Sequence, residues 1–561
     1  IFVPRAFRIH PSTEPPCLCN QQEAPILMQQ HPSVRREGLN SLVNFEGLPG
    51  STVQSRLDEI GIGAYHIVLL AGVGGALMSE SLEMGSVAPV HTAFSRVFAL
   101  SHEQRALLPL ATFAGSGVGL LVAGPICDWR GRKVALVTSL LIIATVMVAT
   151  ALLPSTTPPC VLLTLRFLSG LAGAIQVPAG FVLAVESCPS EARSRLMFGI
   201  QMMGSLGYLL DAVGLRIFMP RFGESPADHW RAFCLIIGCA ALLALPLTSM
   251  LHESPSFLAV KGDAAGCAAV LESIARINGK PPMQVSVQAP LAPQETPPYK
   301  GLLDVTSVFG AAVASHWRLL LLLSVIDSGR AFFISGSSYL WKDLFSLARN
   351  HMVSPAMLNI IASLAPLIGL FISERFLWMG VRRITFLSAM AATISLGLLI
   401  LHQVRMGSLS LLLCIMATKL MYGPLNTCIA LIKAESFPTE IRVSAYSLIS
   451  VAAKVTCMLA PTIIEVWKDD ELAESWSSQG LTSYLVCLMV ALMACGVLVM
   501  TVPGGSGDGR ELSDFFDNKR VQRMSPYGSC GNIWELAEHQ EAGQGASGMA
   551  RSSTSPILCH G

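Results

Sequence analysis

The chain has 561 residues, of which 52% are hydrophobic and 13% are charged, and its mean hydropathy is +0.55. Soluble globular domains carry about 25% charged residues, so this composition indicates a polytopic membrane protein. The 38 basic and 37 acidic residues nearly balance, which argues against a basic surface built for nucleic acid.

The first residues of the chain are polar and rich in proline. The segments HPSTEPPCLCN and HPSVRREG contain no apolar core of the kind a cleavable signal peptide has. We therefore expect residues 1–55 to form a disordered cytosolic N-terminal arm.

Twelve apolar runs follow, and each is long enough to cross a hydrocarbon core of about 30 Å, which takes roughly 20 helical residues. The first six predicted spans are residues 64–90, 106–127, 134–153, 160–184, 196–218 and 232–251. The second six are residues 317–341, 355–378, 384–403, 408–432, 443–467 and 480–502. They predict two six-helix bundles, over residues 56–251 and 317–502, followed by a disordered cytosolic C-terminal tail over 503–561.

A polar stretch, residues 252–316, separates the two groups of spans. It begins HESPSFLAVKGDAAGCAAVLESIARING, whose apolar spacing predicts short amphipathic helices at the cytosolic face. After Lys280 the stretch becomes rich in proline. We expect a cytosolic linker.

Basic residues cluster in the loops that follow the even-numbered spans. Those residues are Arg130, Arg132, Lys133, Arg193, Arg195, Arg382, Arg383, Lys433 and Arg442. Because arginine and lysine resist translocation in short loops, both termini are expected in the cytosol.

One polar phrase occurs twice, as VESCPSEAR at 185–193 and as AESFPTEIR at 434–442. Glu186 and Glu435 are 249 residues apart, and so are Arg193 and Arg442. Gly131 and Gly380 share the same offset, each after the second span of its half. Three such echoes in matching loops indicate a duplicated six-span unit.

Five segments carry a family resemblance. GPICDWRGRK at 124–133 resembles the loop signature of the major facilitator superfamily, although Trp129 stands where a basic residue is usual. LHESPSFL at 251–258 and the paired ESxPxExR phrases resemble elements of its sugar porters and organic ion transporters. The first span, with two acids in mid-helix, is most similar to that of synaptic-vesicle-protein-related transporters.

The resemblance implies an all-α membrane protein with twelve transmembrane helices in two six-helix bundles, the major facilitator fold. It also implies a secondary transporter that works by alternating access. Residues expected to tie the halves together and gate the cytosolic side are Gly124, Asp128, Gly131, Arg132, Lys133, Glu186, Pro189, Arg193, Glu253, Glu435, Pro438 and Arg442. The second-half loop SERFLWMGVRR at 373–383 has lost the compact form of this signature.

Charged residues inside spans are costly, so each is a candidate functional residue. Glu80 and Glu83 are three residues apart and therefore share a helix face. Mutual repulsion and burial favour protonation of one of them. In the resembling proton symporters, an acid of span one works with an arginine of span four, here Arg166. The alternatives are a structural salt bridge between these spans and a position near the membrane surface.

Further polar residues are expected to line a central substrate cavity: Gln201, Asp211, Asp327, Arg330, Lys419, Tyr422, Asn426 and Lys454. Asp327 and Arg330 are three residues apart and would neutralise each other. The charged residues make the first half acidic and the second half basic. This favours an organic anion or zwitterion over an organic cation or a sugar or polyol. Span seven also lacks the glutamine pair of sugar porters.

The sequence thus predicts a proton-coupled transporter of a small organic solute, with the lipid bilayer, the substrate and protons as its partners. We expect a monomer in the plasma membrane or a vesicle membrane. No cofactor, metal site, nucleic-acid partner or enzymatic constellation is expected. The alternative from another class is a transport-inactive vesicle or receptor component.

Overall fold

A computed structural model describes residues 53–220, 225, 228–281, 302–347, 355–402, 408–437, 439, 441–466 and 478–502. Outside these residues lie 1–52 of the predicted N-terminal arm, 282–301 of the predicted linker, and all of the predicted C-terminal tail, 503–561. Pro438 also lies outside them. Every element in the described ranges is helical. Helices suit a chain in lipid because each one satisfies its own backbone hydrogen bonds.

The first bundle contains six long helices, preceded by a short one, α1 (Val53–Ile60). The long helices are α2 (Ala64–Val97), α3 (His102–Arg130), α4 (Arg132–Leu152), α5 (Pro159–Glu186), α6 (Arg193–Phe218) and α7 (Trp230–Ser249). The linker then forms two short helices, α8 (Pro255–Val260) and α9 (Ala264–Ile277). Both lie within the segment for which short amphipathic helices were predicted.

The second bundle repeats this plan. Its helices are α10 (Leu302–Leu347), α11 (Pro355–Glu374), α12 (Val381–His402), α13 (Ser408–Leu420), α14 (Tyr422–Glu435), α15 (Arg442–Val466) and α16 (Ser478–Met500). In the part of the chain that the structure describes, twelve spans are long and apolar enough to cross a membrane. The prediction of twelve transmembrane helices is confirmed.

Two helices of the second bundle differ from their predicted spans. The helix α10 begins at Leu302, well before the expected residue 317, and is kinked at His316. The predicted tenth span is broken at Met421 into α13 and α14. Pro424 explains the break, because it has no N–H to donate to the carbonyl of Leu420 one turn earlier. The tenth span is still a single candidate membrane crossing, over Leu412–Glu435, with this break inside it.

The internal repeat extends to the backbone. Gly131, between α3 and α4, has φ of +106°, and Gly380, just before α12, has φ of +87°. Both values lie in the region that favours glycine. The two residues that were paired by sequence offset thus make equivalent turns after the second span of each half.

The halves meet through two related helix pairs. The second helix of the first half, α3, packs on α15, while α6 packs on α11. These pairs join spans two and eleven, and spans five and eight. Exchanging the two halves converts one pair into the other, as expected of repeats related by an axis along the membrane normal. Asp128, Ser444 and Gln201, described below, lie on these helices.

Candidate functional site

A cluster of buried charges joins the two halves at one end of the bundles. Glu186, at the last position of α5, accepts a hydrogen bond of 3.0 Å from Nη1 of Arg442, at the start of α15. Its other carboxylate oxygen lies 3.3 Å from Nε of Arg132 and accepts a 2.6 Å bond from Ser254 Oγ. We call this the motif end, defined by Asp128, Arg132, Glu186 and Arg442.

A second set of contacts crosses between the halves beside Glu186. Oδ2 of Asp128 accepts hydrogen bonds from Ser444 Oγ at 2.6 Å and from Ser444 N at 3.3 Å. Arg132 lies 3.3 Å from the other oxygen of Asp128 and donates to the carbonyl of Thr439 at 2.8 Å. A Cβ on Gly124 would overlap Ser444. The first-half loop signature therefore docks on the start of α15.

The linker holds this loop in place through Glu253. Its Oε1 accepts from the backbone N–H of Arg132 at 2.9 Å and of Lys133 at 3.2 Å. Those are free N–H groups at the N-terminus of α4, where a carboxylate is favourable. A Cβ on Gly131 would overlap this carboxylate. The close approach explains why glycine occupies the turn.

The remaining predicted gating residues lie around this cluster. Arg193 is buried and donates to Val185 O at 3.0 Å and to Gln54 of α1. Arg442, its counterpart by sequence offset, reaches across to Glu186. Pro189 is buried and Glu435 is half-buried. Both arginines of the repeated phrase are thus buried and hydrogen-bonded.

The two acids of α2 face α5 in mid-bundle. A Cβ on Gly173 would lie 3.6 Å from both Glu80 Cγ and Glu83 Oε2. Glu83 is 0% exposed, and neither of its oxygens accepts a hydrogen bond within the described residues. Glu80 is half-buried. The predicted shared face is therefore present.

Arg166 lies near Glu83 without pairing with it. Its guanidinium donates to Thr150 Oγ1 at 3.1 Å and lies 5.5 Å from the ring of Phe94. Its charge acts on Glu83, but within the described part of the chain no ion pair of 4 Å or less joins the two. The direct salt bridge between spans one and four is not formed in this conformation.

Asp211 of α6 is buried in the first half. It is 4% exposed, and its Oδ1 accepts no hydrogen bond from the described residues. A Cβ on Gly85 would overlap its carboxylate. This places Asp211 against the backbone of α2 at Gly85, two residues after Glu83.

In the second half, Asp327 and Arg330 of α10 form the predicted pair, with Oδ1 of Asp327 2.7 Å from Nη2 of Arg330. A third residue joins them. Lys433 Nζ lies 2.7 Å from Oδ2 of Asp327 and 3.1 Å from Ser450 Oγ. The assignment of Lys433 to a loop was wrong, because α14 continues to Glu435 and keeps this lysine inside the bundle. We call these three residues the Asp327 triad.

A chain of side-chain amides connects the triad to the first half. Arg330 Nη1 donates to Oδ1 of Asn426 at 2.6 Å, and Nδ2 of Asn426 donates to Oε1 of Gln201 at 3.1 Å. Tyr422, one turn before Asn426, bonds Ser337 of α10. Hydrogen bonds thus bring Gln201, Arg330 and Asn426 together.

Two predicted cavity lysines occupy different helices. Lys419 lies on α13, before the break, while Lys454 lies on α15. Both are half-buried. Lys454 belongs to the second half, whereas Glu80 and Glu83 belong to the first.

Tyr208 is an aromatic residue of α6 that the sequence analysis missed. It follows Gln201 by seven residues and so lies on the same helix face. Gln201 accepts a hydrogen bond from Asn426 of the second half, so this face of α6 is turned toward the other bundle. The Tyr208 side chain is 43% exposed. The seven-residue spacing from Gln201 was the sequence signal that could have found it.

Comparison with known proteins identifies relatives for parts of the chain. The niacin transporter NiaP of Acinetobacter baylyi is 28% identical over 248 residues, which cover 44% of this chain and 54% of that protein. Organic cation/carnitine transporter 7 of Arabidopsis thaliana is 29% identical over 231 residues, covering 40% and 43%. The putative transporter svop-1 of Caenorhabditis elegans is 26% identical over 227 residues, covering 40% and 42%. The chain spans about half the length of these curated relatives.

A solved structure and a family model cover more of the chain. The proton:xylose symporter XylE, bound to 6-bromo-6-deoxy-D-glucose, matches with a TM-score of 0.61 at 17% identity, covering 80% of this chain and 98% of that one. This likeness confirms the predicted fold. The model of the Major Facilitator Superfamily matches residues 70–461. Since this match spans well over half of the chain, the protein belongs to the Major Facilitator Superfamily.

Proposed function

We propose that the protein is a secondary transporter that carries a small organic anion or zwitterion across a membrane, coupled to protons, by alternating access. The observation that carries this proposal is the cluster at the motif end, where Glu186 and Arg442 join the two bundles. In alternating access, the two bundles must separate at this end and rejoin in each cycle. Ion pairs and hydrogen bonds between them can break and form again without changing the hydrophobic core of either bundle.

The partly exposed polar residues between the halves support a central binding site. Glu80 and Lys454 are half-buried from opposite sides of the interface, and Tyr208 is 43% exposed. Charges at this depth are expensive in lipid and are retained where they face a partner or a pathway. Because the two bundles are in contact at the motif end, the central site is closed to solvent from that side in this conformation.

The distribution of charge supports an anionic or zwitterionic substrate. The first half contributes Glu80, Glu83 and Asp211 in mid-bundle, whereas the second contributes Arg330, Lys419, Lys433 and Lys454 against Asp327. Basic residues on one wall attract a carboxylate electrostatically. Two relatives are named for niacin and for organic cations and carnitine; niacin and carnitine each contain a carboxylate.

Glu83 is the best candidate for the proton-coupling group. It is wholly buried, lacks an ion pair of 4 Å or less among the described residues, and feels the charge of Arg166. A carboxyl in such a setting can exist neutral or ionised, depending on how close a cation approaches it. Glu80, three residues earlier and half-buried, would exchange protons with the interface between the halves.

The orientation follows from the loop charges. Arg130, Lys133 and Arg195 flank the motif end, and such residues favour the cytosolic side. The conformation described here would then be closed toward the cytosol. We propose a monomer, because both six-helix bundles needed for the site belong to one chain.

Uptake into proteoliposomes tests the proposal. Solutes would first be selected by thermal shift among monocarboxylates, zwitterions, amines and sugars, since a bound ligand stabilises the folded state. We expect saturable uptake of a carboxylate-bearing solute that rises when the lumen is made more alkaline than the outside. A protonophore should remove the increase.

The same assay separates transport from the rival of a transport-inactive vesicle or receptor component. A folded, monodisperse protein that is stabilised by a ligand, but whose proteoliposomes accumulate none of the stabilising solutes, would contradict transport. Uptake that is saturable but indifferent to the pH gradient would retain transport and remove proton coupling.

A further inference from the structure

The Asp327 triad contains more positive than negative charge. One carboxylate is shared by Arg330 and Lys433, each within 2.7 Å of it. The remaining contacts of Lys433 are neutral: Ser450 Oγ at 3.1 Å and the ring of Tyr446 at 4.2 Å. Within the described ranges no second carboxylate lies within 4 Å of any member. With all three ionised, the triad has a net charge of +1.

An unbalanced charge in a protein interior is costly. Asp327 is 0% exposed and the Lys433 side chain is 5% exposed, whereas that of Arg330 is 16% exposed. The surplus charge can therefore be met by an anion at Arg330 and not at the two deeper residues. Lys454, whose charge also acts on Lys433, adds to the positive field there.

Arg330 retains hydrogen-bonding capacity. A guanidinium has five N–H groups. Nε and Nη2 each use one N–H on Asp327, and Nη1 uses one on Asn426. Two N–H groups remain. The two contacts fix the plane of the group in advance. A planar, fixed fork with free N–H groups is the arrangement that binds a carboxylate through two parallel bonds.

An aromatic side chain lies on the helix face to which this fork is connected. Arg330 bonds Asn426, Asn426 bonds Gln201, and Tyr208 follows Gln201 by two turns of α6 with 43% of its side chain exposed. Exposed aromatic faces in partly apolar sites pack well against the rings of ligands. The combination favours a flat ring bearing one negative group.

We propose that the carboxylate of an aromatic monocarboxylate binds the free N–H groups of Arg330, that its ring packs on Tyr208, and that Lys433 keeps the site attractive by offsetting Asp327. Lys433 is a positioning residue in this scheme, because it acts through the charge balance of the triad and does not touch the ligand. The inference rests on the proposed transport of a small organic solute and names the class of that solute.

The test uses the full chain with benzoate as probe and neutral benzamide as its matched comparison. Lys433→Gln reduces the net charge of the triad to zero, and we expect the Kd for benzoate to rise by about tenfold or more, since hydrogen bonds to charged groups contribute on that scale. The double variant Asp327→Asn with Lys433→Gln returns the net charge to +1, and benzoate binding should recover to within a few-fold of the original. Benzamide binding should not follow this pattern.

Arg318→Gln is the control, because Arg318 is an exposed cation on the same helix; benzoate binding should be unchanged. Thermal unfolding of each variant reports whether it is folded. If Lys433→Gln is not recovered folded, the double variant is compared with a triple variant that also carries Arg330→Gln. The triad of the triple variant has no net charge, so this variant should lose benzoate binding.

The proposal is overturned if Lys433→Gln binds benzoate as tightly as the original chain, or if the double variant is as weak as the single one. A purely structural role for Lys433 predicts the latter, since two lost contacts would then be worse than one. If either of these two results is found while proteoliposomes of the original chain accumulate a solute other than benzoate, the aromatic monocarboxylate inference fails and the proposal of transport stands. If the original chain neither binds benzoate nor accumulates any solute, both fail.

Discussion

Oε1 of Glu186 and Nη1 of Arg442 lie 3.0 Å apart, although the residues belong to opposite halves of the chain. Both side chains are essentially unexposed. Glu186 also accepts from Ser254 of the linker and pairs with Arg132 of the first-half loop signature. This one carboxylate therefore connects three parts of the protein.

Glu186→Gln should weaken the joined motif end. Removing one member of a buried pair leaves the other charge uncompensated, at a cost of about 3–5 kcal/mol. That cost falls on the joined conformation and not on one in which Arg442 reaches water. We expect the distance distribution between spin labels on the two halves at this end to shift to longer values.

Glu191→Gln is the control for this experiment, because Glu191 is exposed in the adjoining turn. An unchanged distance distribution in Glu186→Gln would show that the ion pair does not hold the halves together.

Gly124→Ala tests the close docking of α3 on α15. A Cβ at this position would overlap Ser444, whose hydroxyl bonds Asp128. We expect slower uptake, because the joined conformation is strained by the added methyl group. Gly117→Ala on the same helix is the matched control, since a Cβ there meets nothing within 4 Å. Equal uptake rates in the two variants would argue against tight docking at Gly124.

Glu83→Gln should separate substrate movement from proton movement. The amide keeps the size of the side chain but cannot release a proton, so uptake should no longer respond to a pH gradient. Exchange of labelled for unlabelled substrate across the membrane should continue. Glu80→Gln is expected to have the same direction of effect.

Glu103→Gln, at an exposed position near the start of α3, should retain the response to the gradient. A full response in the double variant of Glu80 and Glu83 would remove both acids from the coupling mechanism.

His252 gives the folded state a dependence on pH. It follows α7, bonds Ser273 at 2.9 Å and stacks on Tyr65. Burial, and then the charges of Lys133 and Arg276, hold the pKa of His252 below its ordinary value of 6.5. The unfolded chain therefore binds this proton at a higher pH than the folded chain. Stability is complete above pH 6.5 and falls as the pH is lowered toward the folded pKa.

The contribution should be below about 1 kcal/mol, because the ring is only half-buried. His252→Gln should reduce the difference between the unfolding temperatures at pH 7.5 and pH 5.5. His229→Gln, at an exposed position, should leave that difference as it is. An identical difference in His252→Gln and the original chain would assign the acid sensitivity elsewhere.

The helices and their repetition were accessible from the chain alone. Apolar runs of about 20 residues have few alternatives to a spanning helix in lipid, so the twelve spans were predicted. The break at Met421 was missed because the apolar pattern continues through it. The only sign of it in the sequence is Pro424, which has no N–H to donate to the carbonyl of Leu420. Lys433 was misplaced for a related reason: a basic residue beside a polar phrase is typical of a loop, and sequence does not tell where the helix ends.

The candidate site was predicted in its residue types but not in its partners. Asp327 and Arg330 could be paired from their spacing on one helix, since residues three apart are neighbours. Lys433 lies more than 100 positions away, and its contact with Asp327 depends on how α10 and α14 pack. Glu83 and Arg166 were paired from a family resemblance, yet in this conformation Arg166 donates to Thr150 instead.

What the sequence by itself determined is local and periodic: where the chain crosses the membrane, which faces hold charge, and that Gly131 and Gly380 occupy equivalent turns. What only the tertiary structure decided is which half each charged side chain serves. Glu186 and Arg442 belong to different copies of the repeated phrase, and their 3.0 Å contact joins the two halves, whereas Lys433 reaches Asp327 within the second half. The reason is physical: a repeat specifies the same helices twice, whereas an ion pair between the repeats depends on distances set by packing them together.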